Sequence, residues 1–151
     1  IKNPAFELLD KKNIRIGGPH DKLEFCDLVK DGSDLIHVKY YRSSATLSHL
    51  FSQGCVSAEA FIRDMEFRKK LNTKLPPSIQ LSDPTLRPNP HNYKIVYAIA
   101  TTKNLPQELP FFSKVTLKNA LKVLWGLDYS VEVVAITVDP ALLIKKKYKP
   151  K

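Results

Sequence analysis

The chain has 151 residues, 43% of them hydrophobic, and carries a net charge of +9. That is apolar material for one core rather than two. No run approaches the ~20 apolar residues of a membrane-spanning helix, and no basic stretch followed by an apolar one marks a leader. Two cysteines, Cys26 and Cys55, exclude a disulfide scaffold and lack metal-ligand spacing, so a soluble protein of the reducing cytoplasm with no membrane partner is expected. The chain opens on Ile1 rather than Met, from which a fragment of a longer protein is expected.

In chain order, residues 5–9 (AFELL) and 13–16 (NIRI) are short apolar-rich stretches split by a turn-like Asp-Lys-Lys-Asn, and they predict a hairpin ended by Gly17-Gly18-Pro19. Residues 22–29 (KLEFCDLV) and 34–41 (DLIHVKYY) flank Lys30-Asp31-Gly32-Ser33, a strong hairpin signal. In the second run Ile36, Val38 and Tyr40 alternate with His37, Lys39 and Tyr41, the period of a strand with one buried face.

Ser43 or Ser44 caps a predicted helix with Leu47, Leu50 and Phe51 as its stripe and Gly54 as its end. Ser57 starts another, with Phe61, Ile62 and Met65 inward and Arg68, Lys69 and Lys70 in its last turn. Five prolines between Leu75 and Pro90 predict a long irregular loop. Tyr93 to Thr102 reads as a strand buried on both faces. Ser113 then caps a helix carrying Val115, Leu117, Leu121 and Leu124 and closed by Gly126, and Ser130 to Val138 is the last strand. The order predicts an α/β (α+β) fold, a mixed sheet with helices packed on its faces. It predicts one domain over residues 1–141, with the proline-rich loop at 75–90 and a basic tail over 142–151.

The polar residues of the central hairpin form the first candidate site. With the turn centred on Gly32, Asp27 falls opposite His37 and Lys39 follows one step along the same face, about 7 Å away. Cys26, Leu28, Ile36 and Val38 are expected to pack the other side.

A strand ending in Asp, a turn, a strand reading (Asp/Glu)-x-Lys and then a helix resembles the PD-(D/E)XK core of restriction endonucleases. The resemblance implies a restriction-endonuclease-like fold with Asp27 as first carboxylate and metal ligand. It makes Lys39 the lysine that orients the attacking water. His37 stands where that family has its second carboxylate. An imidazole there suits a transition metal better than Mg²⁺, so the implied cofactor is Mn²⁺ before Mg²⁺, on Asp27 and His37. Glu24, the other nearby carboxylate, has the opposite strand parity from Asp27.

More of the chain, through EFCDLV, LIHVKYY, SSATLSHLFSQGCVSAE and LPFFSK, resembles the C-terminal region of a sporadically distributed, uncharacterised bacterial family. That likeness implies a parent protein whose remainder is itself a partner, and a place in defence or mobile-element loci.

The +9 charge points to a polyanion partner, DNA ahead of RNA. Five lysines lie in the last seven residues; others singled out include Lys11, Lys12, Arg15, Arg42, Arg68, Lys69 and Lys70. Arg42, Ser43 and Ser44, beside Tyr40 and Tyr41 at a predicted helix start, are candidates for phosphate contact. Lys114, Lys118 and Lys122 recur every fourth residue and could follow a phosphate backbone. No P-loop, HExxH, paired CxxC or GxSxG is present. The expectation is therefore a nucleic-acid-binding, nuclease-like domain performing metal-dependent phosphodiester hydrolysis through Asp27, His37 and Lys39. The alternative is an inactive binding module of a larger protein.

Overall fold

Asp31 and Gly32 both adopt positive φ, 53° and 72°, and turn the chain between β4 (Leu28–Lys30) and β5 (Asp34–Tyr40), the hairpin that the Asp-Gly pair predicts. The computed structural model describes residues 6–9, 13–15 and 22–137. The basic tail expected over 142–151, and Lys11, Lys12 and Gly17-Gly18-Pro19, lie outside them.

The first predicted hairpin is not made. β1 (Phe6–Leu8) pairs antiparallel with β4, whereas β2 (Asn13–Arg15) pairs with β3 (Lys22–Glu24) in a separate two-stranded sheet. The run 22–29 is accordingly two strands rather than one. It breaks at Phe25 and Cys26, which are both buried, so the apolar pattern looks continuous although the ladder is not.

The main sheet continues with β6 (Lys94–Ala100) parallel to β5 and β7 (Ser130–Ile136) parallel to β6. Its order is β1-β4-β5-β6-β7, a mixed five-stranded sheet. β6 is interior to the sheet, between β5 and β7, and buried on both faces, as its unbroken run of apolar residues requires.

Gly54 does not end a helix. α1 runs unbroken from Ser44 to Arg63, because the space that Gly54 leaves is filled by Tyr97 of β6. A Cβ on Gly54 would stand 2.6 Å from the Tyr97 ring, and the Tyr97 hydroxyl donates to the Phe51 carbonyl at 2.9 Å. Ser57 is likewise interior. The true break is Asp64, whose side chain accepts from Phe67 N–H (3.1 Å) and starts α2 (Met65–Asn72). Met65, expected in the core, is exposed.

Arg68, read from sequence as a surface charge, is only 4% exposed. Its guanidinium donates to the carbonyls of Phe61 (3.1 Å) and Ile62 (3.0 Å), two unpaired ends of α1. It also reaches Pro84 (2.9 Å) and Thr85 (3.4 Å) in the proline-rich stretch. Asn72 exchanges two hydrogen bonds with the backbone of Leu81, at 2.7 and 3.1 Å. The irregular segment is thus tied down at Leu81, Pro84 and Thr85.

α3 (Phe111–Gly126) starts after Pro110, two residues before the expected Ser113 cap. Ser113 lies inside the helix, buried against α1. Leu117, Ala120 and Leu124 face the core, and Val115 faces outward. α1 and α3 pack on each other over the sheet face that carries Leu35, Ile95, Tyr97 and Ile99. Both long helices therefore share one face. No described helix is long and apolar enough to cross a membrane.

Candidate nucleic-acid interface

The hairpin register is the expected one: Leu28 faces Ile36, which sets Asp27 opposite His37. The side-chain parity has the opposite consequence from the one read in the sequence. Leu35 and His37 point into the core beneath the helices, while Ile36 and Val38 on the other face are only partly buried. The alternation of β5 is equally regular for either assignment. What decides it is the pairing of Leu35 and His37 with Ile95 and Tyr97 across the parallel ladder.

His37 is 5% exposed, its ring centroid 5.8 Å from that of Tyr97, and its Nε2 has no hydrogen-bond partner. Burial lowers its pKa from 6.5 to about 4, so the ring is neutral at pH 7. Lys39, two residues on, is exposed. Asp27, partly buried, accepts the Val38 N–H on Oδ2 at 2.7 Å. Its own N–H donates to Ile36 O (2.9 Å) and its carbonyl accepts from Leu9 N–H (2.8 Å). The carboxylate prolongs the ladder one step beyond β4. The three residues thus do not line one open concavity.

A metal centre needs more than this pair. Among the described residues no group of three or more His, Cys, Asp or Glu side chains could hold a metal ion. The Asp27 carboxylate accepts a backbone amide and the His37 ring is buried, so the two do not form an open pair of donors.

At the end of β5 the polar residues are partly committed to the fold. Ser43 caps α1, its Oγ accepting from Thr46 N–H at 3.2 Å. Ser44 Oγ lies 3.1 Å from Ser113 Oγ, and the Ser113 hydroxyl donates to Ser44 O at 3.2 Å, which joins the starts of α1 and α3. Both serines are explained without a phosphate. The exposed Arg42 stacks over Tyr40 at 5.6 Å, and Lys103 stands 5.4 Å from the Tyr41 ring centroid.

α3 is different. Its sixteen residues, FFSKVTLKNALKVLWG, contain three lysines and no acid. Lys114, Lys118 and Lys122 are exposed, and at 1.5 Å per residue they recur about every 6 Å along the axis. None of them makes an ion pair among the described residues, in contrast to Lys69 with Glu66 and Lys94 with Glu132. They border a groove of about 470 Å³ with Pro106, Leu117, Leu121 and Trp125 in its walls. The groove is apolar between charged lips.

The profile of a family of unknown function (DUF6119) matches residues 1–137. The chain belongs to this family. No match was found among the curated proteins or the solved structures. Family membership bears out the resemblance to an uncharacterised family, and says nothing of the nuclease core.

Within this DUF6119 domain, the residue that sequence reasoning missed is Trp125. It is the only tryptophan in the chain, is 58% exposed, and lies three residues after Lys122 and four after Leu121. Helical spacing alone places it on the lysine face. A large aromatic at an exposed helical position was the available signal.

Proposed function

We propose that this domain is a nucleic-acid-binding module that grips its ligand along α3, the non-catalytic of the two readings of its sequence. The carrying observation is the row Lys114, Lys118 and Lys122: three exposed cations, one per turn, with no counter-charge on their helix and no ion pair among the described residues. Such a row costs the fold self-repulsion and returns no internal contact, whereas a polyanion laid along it releases counterions at each phosphate. Arg42 and Lys103 extend positive charge toward the end of β5.

The hydrolytic reading keeps one supporting observation, Asp27 in register with His37 on a hairpin of the expected order. Against it stand the burial of His37 and the use of the Asp27 carboxylate as a backbone acceptor. A filter-binding titration at increasing salt tests the binding reading. The expected result is retention at about 50 mM salt with log K falling linearly against log[salt]. Replacing all three lysines by Gln should remove most of the slope, and no retention at low salt would overturn the proposal. A parallel cleavage assay with Mn²⁺ and Mg²⁺ decides the other reading. Cleavage above that of Asp27→Ala would restore the enzyme.

A further inference from the structure

Resting on that reading, we infer that the α3 groove takes a single strand rather than a duplex, with a base stacked on Trp125. Lysines alone would serve a duplex equally well, since its phosphates face outward. The groove between them would not. Its walls include Pro106, Leu117, Leu121 and the indole of Trp125, which give a phosphate nothing to bind. A duplex keeps its bases stacked on one another, so it has no apolar face to lay against them. A single strand presents flat apolar rings beside regularly spaced charges, and proteins that hold such strands combine a basic track with aromatic platforms.

Trp125 suits that role. It is more than half exposed and closes the row one turn beyond Lys122, where a strand running along the lysines arrives next. An acidic peptide shares the charge but not the spacing. Lysines at every fourth position match a polymer whose charge and planar group alternate without exception, whereas a peptide would need apolar knobs and acids in a fixed helical order. The groove thus favours the nucleic acid.

The single tryptophan makes the test direct, because all indole emission comes from Trp125. The full chain is titrated at low salt with a poly-glutamate peptide and with three labelled nucleic-acid ligands: a thymidine oligonucleotide of about 16 residues, an abasic strand of equal length, and a duplex. Anisotropy reports binding and indole emission reports stacking. The thymidine strand should quench Trp125 and bind about tenfold tighter than the abasic strand, which should bind without quenching. Trp125→Ala should lower affinity for the thymidine strand about tenfold and leave the abasic strand unchanged, and Trp125→Phe should restore most of the loss.

Equal affinity for duplex and single strand, with no quenching, would overturn this inference and leave the lysine proposal standing. Failure of all three nucleic-acid ligands to bind would remove both. Quenching by a poly-glutamate peptide but by no oligonucleotide would overturn it in favour of a protein partner.

Discussion

Two polar clusters on this domain look alike in sequence and differ in what surrounds them. In the β4–β5 hairpin, Asp27 carries a backbone amide and His37 is sealed under α1, so apart from the exposed Lys39 this polarity has been drawn into the architecture. On α3, three lysines and a tryptophan stand at the surface, and the lysines take no ion-pair partner from the described fold. A charged residue with internal partners is explained by them. One that is exposed, repeated and unpaired asks for an external partner, and this contrast places the candidate interface on the helix rather than on the hairpin.

The contrast breaks first, if anywhere, at Arg68, the described basic residue most deeply committed to the fold. Arg68→Ala abandons four backbone carbonyls and should cost about 3 to 4 kcal/mol, read as a melting temperature lower by roughly 10 °C. Nucleic-acid affinity measured well below that transition should stay near wild type.

Acid is the next largest perturbation. His37 titrates near 6.5 when unfolded and at about 4 when folded, so between those values the unfolded chain binds the extra proton. Stability from this group is complete above pH 6.5 and falls as pH drops toward 4, by roughly 3 kcal/mol in total. Urea midpoints for wild type and His37→Leu should diverge as pH falls through that window, with wild type dropping progressively below the variant. At pH 7.5 the leucine should be neutral or slightly stabilising, since it removes an unsatisfied buried nitrogen.

Asp27→Ala should destabilise by about 1 to 2 kcal/mol through the stranded Val38 amide. Denaturation in the presence of EDTA checks this, because there a metal ligand would contribute nothing and an amide acceptor contributes in full. The smallest change in stability belongs to Lys118→Gln, within about 0.5 kcal/mol of wild type. Its effect should appear in binding, as a salt slope shallower by about one unit or slightly less.

The mixed sheet, the Asp31-Gly32 turn, the doubly buried β6 and the lysine period were legible because each is written in a local period or a turn pair. Three other features depend on contacts distant in sequence. Strand alternation gives two faces and not which one the helices cover, so it groups His37 with Lys39 and cannot tell that His37 is buried. Gly54 reads as a helix end unless Tyr97, forty-three residues away, is known to need its space. β1 reads as the partner of β2 because they are neighbours in sequence, whereas its register is with β4. In the candidate site the lysines are legible and the groove is not, since its wall at Pro106 comes from the irregular loop before α3, which has no local period.

Gly54 and Tyr97 also have a mechanical meaning. Sliding α1 along the sheet by one turn, about 5.4 Å, would bring Leu50 or Ala58 to the place of Gly54, and either would drive a Cβ into the ring. The helix is thereby keyed to β6, with the Tyr97 hydroxyl as the pin. α3 is clasped to the start of α1 by Ser44 and Ser113. A pull on α3 would therefore pass through α1 into the main sheet with little slack, so that sheet and helices move as a single lever.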